Sequence, residues 1–271
     1  MTSGSPRFEA LATRAAVLNN PARSPMRDIT AKTIGIVAHS DEGGALCFIT
    51  ACREGAAQMG VHMHPNIVLS AVPMGLSMEA WESDDYDTIA RHLTRGVQMV
   101  ADAGAHFYIC PDNTAHIVLE RIAAQLPLPG LHIAEVVCAE ITGNNWRRVG
   151  LLGTKWTMTG PIYAAALARR GLEQLTPEPA IQTRLNSAIL DELCQGSFTA
   201  PTTQLFLQAI DELKARGAEC VILGCTEIPL IVTPENSALP VVDSTRLLAK
   251  SAVRTALNPA AAYPGSGWLP V

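Results

Sequence analysis

No segment of this chain approaches the roughly 20 consecutive apolar residues that a membrane-spanning helix needs. The longest apolar runs, such as 34–38 and 220–223, are strand-sized. A secretion signal is also missing, because residues 1–30 scatter Arg7, Arg14, Arg23 and Arg27 among Ala, Ser, Asn and Pro without a continuous apolar stretch. Lys and Arg cluster on no face and the formal charge is -5, which argues against nucleic acid or an anionic lipid surface as partner. No Gly-x-Gly-x-x-Gly follows a strand, so a dinucleotide site is not expected. Among the lysines only Lys155 stands at a motif, without the phosphate cradle that pyridoxal chemistry requires. His62 with His64, and Cys47 with Cys52, lack a third partner at metal-ligand spacing. The 7 cysteines (Cys47, Cys52, Cys110, Cys138, Cys194, Cys220, Cys225) are odd in number and mostly sit in apolar runs. The expectation is a soluble protein of a reducing cytoplasm that needs neither cofactor nor metal and acts on a small molecule.

What is present is 271 residues, 48% of them hydrophobic and 17% charged, enough for one large core or two modest ones. From Lys32 onward short β-branched runs alternate with longer segments of helical spacing, the pattern of an α/β protein whose parallel sheet carries helices on both faces. Strands are expected at 33–38, 67–71, 107–110, 149–152 and 220–223. Helices are expected near 44–59, 86–103, 114–125, 160–170, 180–194, 202–216 and 245–256. Residues 258–271, rich in Pro, Gly and Ala with one Trp, read as a tail or surface strap, and residues 1–31 as a flexible extension.

A long internal repeat is the most informative feature. Residues 97–114 and 210–227 match as helix, Gly-Ala turn, strand and polar loop: Gly104 stands against Gly217 and Asp112 against Cys225, both 113 residues apart. A second pair, 34–38 against 149–153, opens each half at an offset of 115. Two similar lobes follow. Ligands of open α/β sheets bind beyond the carboxyl ends of the strands, so facing lobes bring Asp112 and Cys225 to the two sides of one cleft. Two proton-carrying groups on opposite sides of a bound carbon suit racemisation, epimerisation or a related proton transfer.

Several motifs carry a family likeness: Pro-Asp-Asn-Thr-Ala-His at 111–116, Val-Gly-Leu-Leu-Gly-Thr-Lys-Trp-Thr at 149–157, Tyr163, Gly-Cys-Thr-Glu-Ile-Pro at 224–229, and Val-Asp-Ser-Thr at 242–245. In this order the chain resembles the aspartate/glutamate racemase superfamily, which also holds hydantoin racemase, maleate isomerase and arylmalonate decarboxylase. The resemblance implies a first α/β lobe over 32–131 completed by a helix at about 243–257, a second lobe over 132–242, an active site between them and a homodimer. It further implies an isomerase that acts on an acidic amino acid, aspartate- or glutamate-like, without pyridoxal phosphate.

The chain departs from the pattern where family racemases carry a first cysteine, for it has Asp112 there and keeps only Cys225. Cys110 lies two residues earlier but belongs to the strand. An aspartate titrates near about 3.9 when unperturbed and needs burial to become a useful base. Two readings stay open: Asp112 with a raised pKa shares the acid/base work with Cys225, or Asp112 orients a small dicarboxylate while Cys225 alone delivers a proton in a decarboxylase, lyase or isomerase step. A two-lobed binding protein that has lost half of its pair is the non-enzyme alternative. Asn113, Thr114 and Thr226 follow the strand ends and are expected at the substrate carboxylate, with Glu227 orienting the second site. Thr154, Lys155 and Thr157 occupy the loop after the second lobe's first strand, Lys155 as a partner for an acidic side chain. His39 and Ser40 occupy the equivalent loop of the first lobe, where His39 can tune Asp112. His116 is read as structural.

Overall fold

An apolar run covered on both faces belongs inside a parallel sheet, and β1 (Ile34–Ala38) is buried along its whole length. The computed structural model describes residues 31–271 apart from positions 259, 261, 262 and 264. In it β1 pairs in parallel with β2 (Ile67–Ala71) and β3 (Phe107–Ile109), and β4 (Gly130–Leu131) extends the sheet in the order β2-β1-β3-β4. The second half contains β5 (Arg148–Gly153), β6 (Glu173–Leu175), β7 (Cys220–Gly224) and β8 (Val241–Asp243) in the order β6-β5-β7-β8, again all parallel. The order matches strand for strand. The repeat in the sequence is therefore a repeat of topology, in which β5 answers to β1 and β7 to β3.

Helices cover the sheets. In the first half these are α1 (Asp41–Met59), the single turn α2 (Met78–Glu82), α3 (Tyr86–Asp102), α4 (His116–Ile122) and α5 (Ile133–Gly143). In the second they are the short α6 (Lys155–Thr159), α7 (Pro161–Ala168), α8 (Pro179–Asp191) and α9 (Ala200–Ala215), followed by α10 (Ser244–Leu257). Helix α3 buries Ile89, Leu93, Gly96, Val97 and Val100, one stripe at helical spacing. A Cβ on Gly96 would stand 2.7 Å from Val37, so this glycine sets how closely α3 approaches β1. Helix α10 returns to the first sheet, where Leu248, Ala249, Ala252, Val253 and Ala256 share a buried cluster with Ile34, Ile36, Phe107 and Ile109.

The five expected strands and seven expected helices are present with shifted ends. The helix expected over 114–125 runs over 116–122 and tightens into a 3-10 turn at 123–125, and the one expected to reach 194 stops at Asp191 before another such turn. Sequence reading missed β4, β6 and β8, which at two or three residues show no period. It missed α5, which buries Ile133, Ala134, Val136, Val137, Cys138 and Ile141, because its exposed face mixes Ala139 and Gly143 with Glu140 and Thr142 and so blurs the polar stripe. In the tail, Leu269 N–H donates to the Gly130 carbonyl and Trp268 lies against His116 and His132, with ring centroids 5.7 and 4.7 Å away. The extension expected at 1–31 lies, except for Ala31, outside the described residues. Among the described residues no helix is long and apolar enough to cross a membrane.

Candidate active site

In each sheet the chain reverses direction of travel between its two central strands, and such switch points open a crevice at the strands' carboxyl ends. Residues 39–40 follow β1 and 110–114 follow β3. In the second sheet, 154–157 follow β5 and 225–227 follow β7. The candidate residues thus occupy both switch points. One cavity, with about 530 Å³ of empty space counting its open mouth, is lined by Ser40, Asp112, Asn113 and Thr114 from the first half and by Thr154, Cys225, Thr226 and Glu227 from the second. Asp112 and Cys225 therefore border the same space.

Each carries a partner. His39 Nδ1 stands 3.2 Å from Asp112 Oδ2, and the Ala115 N–H donates to Oδ1 at 3.3 Å. Both ring nitrogens of His39 are buried and neither meets full hydrogen-bond geometry with a partner among the described residues, so its contact with Asp112 is a close charge approach. Burial works to lift the Asp112 carboxyl, but His39, the Ala115 N–H and His116 together outweigh it and hold the group below its ordinary value. The expected rise in the Asp112 pKa is therefore replaced by a fall, and the cause is an imidazole delivered by the loop after β1. On the other side the Cys225 thiol donates to Glu227 Oε2 at 2.9 Å, and Thr226 hydroxyl donates to Glu227 Oε1 at 2.8 Å. Burial first, and the Glu227 charge second, push the Cys225 thiol well above its usual value. At neutral pH the cavity holds a carboxylate at Asp112 and a neutral thiol at Cys225.

The remaining polar residues divide between struts and lining. Asn113 has both amide hydrogens committed: Nδ2 donates to Ser244 Oγ at 3.0 Å and more weakly to the Pro111 carbonyl, while Oδ1 accepts from Tyr163 hydroxyl at 2.6 Å. Ser244 in turn donates to the Leu223 carbonyl, so this network ties the loop after β3 to β7 and α10. Oδ1 keeps one lone pair, so the Asn113 side chain can accept one further hydrogen bond but offers a ligand no donor. Thr114, Thr154 and Thr157 form a hydroxyl triangle with edges of 2.9, 3.0 and 3.2 Å. Thr154 also caps α6 through the Thr157 N–H. Ser40 caps α1 through the Gly43 N–H and meets Thr226 Oγ1 at 3.2 Å, which joins the two loops. The backbone N–H groups of Asn113, Thr114 and Thr226 have no acceptor among the described residues.

Lys155 is not brought to the cavity: its amine pairs with Glu82 at 2.8 Å and lies 4.4 Å from the Trp156 ring centroid. His116 is buried at the base of α4, with Nε2 3.0 Å from the Cys110 carbonyl. Sequence reasoning missed an apolar share of the lining: Met74, Met78 and Trp81 of the first half, Trp156, Ile189 and Leu190 of the second, and Cys194. Only Trp156 lies inside a motif. The others come from segments with no spacing relation to the strand ends. Among the described residues no group of three His, Cys, Asp or Glu is arranged to hold a metal.

A model of the Asp/Glu/hydantoin racemase family matches residues 44–252. The broad specificity amino-acid racemase RacX of Bacillus subtilis is 30% identical over 173 residues, which is 64% of this chain and 74% of that protein. A candidate Asp/Glu racemase from Yersinia pestis superposes with a TM-score of 0.75 at 30% identity, covering 84% of this chain and 100% of its own. An aspartate racemase homologue from Pyrococcus horikoshii gives a TM-score of 0.70 at 25% identity over 84% and 100% of the two chains. The motif order, the doubled four-strand sheet and the family model agree over most of the chain, which therefore belongs to the Asp/Glu/hydantoin racemase family, a group of isomerases.

Proposed function

We propose that this chain racemises or epimerises an amino acid at its α-carbon without a cofactor, with Asp112 and Cys225 as an unequal acid/base pair. The observation that carries the reading is geometric: two proton-carrying groups border one cavity, Asp112 with its carboxylate beside His39 and Cys225 with its thiol donating to Glu227. A two-base reaction needs one group empty and the other loaded before it starts. Held down as it is, Asp112 is a weak base, and His39 Nδ1, 3.2 Å from Oδ2, is placed to take the proton onward from it. Asp112 takes the α-proton from one face, the bonding electron pair passes into the substrate carboxylate as an enediolate, and the Cys225 thiol returns a proton to the other face. The resulting thiolate is left beside Glu227, and loss of the Asp112 proton to solvent with uptake of one by the thiolate, or the reverse reaction, resets the pair. The free N–H groups of Asn113, Thr114 and Thr226 suit the charge that grows on the substrate carboxylate.

Wash-in of deuterium at the α-carbon, followed by NMR for each enantiomer of a panel of amino acids, tests this. Replacing Asp112 with Asn, or Cys225 with Ser, should slow racemisation by about 10²–10⁴-fold, the usual worth of a positioned acid or base. An Asp112→Asn protein that racemises at the wild-type rate refutes the pair. Because the two groups are chemically unlike, exchange confined to one enantiomer in the wild type marks the one-sided alternative instead.

A further inference from the structure

We infer, resting on the proton-transfer reading above, that the side chain of the substrate is apolar or aromatic rather than acidic, selected by Met74, Met78, Trp81, Trp156, Ile189 and Leu190. All six line the cavity that Asp112 and Cys225 border. Trp81 is only 4% exposed; its ring packs 5.8 Å from Trp156 and edge-on to Tyr86 at 6.2 Å, so this wall is preorganised. Ile189 and Leu190 join the lining from the last turn of α8.

The charges favour the same reading. An α-amino acid brings one ammonium and one carboxylate, and the cavity answers both: Asp112 and Glu227 present carboxyl oxygens, while the backbone N–H groups of Asn113, Thr114 and Thr226 can donate. Among the described residues a second carboxylate meets no cation: no Lys or Arg of them lines the cavity, and the cation nearest in sequence, Lys155, is occupied by Glu82. Moving an ionised carboxylate from water to an apolar wall without a partner costs several kcal/mol, and two acidic groups already bordering the space add repulsion. An alkyl, thioether or aromatic side chain meets no such penalty and gains from leaving water. The acidic substrate implied by the family likeness is thus disfavoured by the residues this chain uses to build its pocket.

The test compares the wild-type protein on leucine, methionine and phenylalanine with aspartate and glutamate, using both enantiomers. Deuterium wash-in at the α-carbon reports turnover, and ligand-induced shifts in melting temperature report binding. The expected result is a kcat/KM for exchange at least about tenfold higher for the apolar set, a discrimination within reach of a hydrophobic pocket. Equal or faster exchange of aspartate or glutamate overturns the inference and leaves the proton-transfer reading standing. Saturable stabilisation by the apolar set alone, with no exchange, supports the pocket assignment and overturns the proton-transfer reading. Neither exchange nor stabilisation by any of them overturns both. As a second arm, Leu190→Arg places a cation in the half-buried end of the pocket and should shift the exchange ratio toward glutamate. A folded variant that keeps the wild-type ratio counts against the inference, and if the variant does not fold the wild-type panel decides alone.

Discussion

Replacing Gly43 with alanine tests the contact through which the two halves share one cavity. Gly43 is in the first turn of α1, and an ideal Cβ there would stand 2.2 Å from Thr226 Cβ, 2.4 Å from its hydroxyl and 2.6 Å from Ser40 Oγ. Carbon atoms pack at about 3.5–4.0 Å, so Thr226 or the start of α1 has to withdraw by more than 1 Å, about the shortfall between those figures. Thr226 cannot simply rotate away, because its hydroxyl is shared between Glu227 and Ser40. Overpacking of this kind costs about 1–3 kcal/mol, and loss of the Ser40 cap adds about 1 kcal/mol. For a body of this size that total of about 2–4 kcal/mol corresponds to a fall in melting temperature of roughly 5–15 °C. A displacement near 1 Å beside the reacting groups lowers turnover by about 10²-fold. Thermal unfolding and exchange kinetics read the two effects separately. Gly143→Ala is the control, since its Cβ meets nothing within 4 Å, and alanine there should be neutral or stabilising by up to about 1 kcal/mol. A Gly43→Ala protein with wild-type melting and turnover would show that α1 does not abut Thr226, and the joined site would have to be abandoned.

The buried His116 predicts an acid dependence of stability. Burial and the neighbouring His132 lower its pKa to about 3, whereas an unfolded histidine takes its proton near about 6.5. Between these values the unfolded chain binds more protons, so stability is full above about pH 6.5 and declines as pH falls, approaching about 1.4 kcal/mol per pH unit. Urea midpoints from pH 7 to 4 should show this slope and His116→Gln should flatten it; an unchanged slope in the variant assigns the loss elsewhere. Asp112, held below its ordinary value, has the same sign but adds its loss only at the acid end, as pH falls through the carboxylate range. For the thiol, Glu227→Gln removes the second cause of the raised Cys225 pKa while burial persists. Alkylation of Cys225 by iodoacetamide, measured by peptide mass spectrometry against Cys52 in the same molecule, should then be faster than in the wild type. An unaltered ratio means that the Glu227 charge does not govern the thiol.

Reading the helix at 86–103 almost to the residue was possible because α3 buries one clean stripe, whereas the exposed face of α5 mixes Ala139 and Gly143 with its polar residues and offered a blurred pattern. The same limit applied in the site. Asp112 and Cys225 could be paired from their common distance in the repeat, since a duplicated topology carries corresponding loops to corresponding ends of the sheet. Lys155, chosen because a cation beside a motif suits an acidic substrate, turns to Glu82 of α2, a partner more than seventy residues away that no local pattern announces. Asn113, expected at the substrate, spends its side chain on Tyr163 and Ser244.

The sequence by itself determined the α/β class, the doubled lobe and the identity of the two unlike groups at matched strand ends. Those follow from hydrophobic period and residue spacing, which are local properties of a chain. Only the tertiary structure decided that His39 holds the Asp112 carboxyl down while burial pushes the Cys225 thiol up, and that among the described residues tryptophans and aliphatic side chains rather than a cation line the rest of the cavity. Protonation and selectivity depend on dielectric and on neighbours within a few ångströms, and His39, Trp81 and Leu190 become such neighbours only when distant segments fold together.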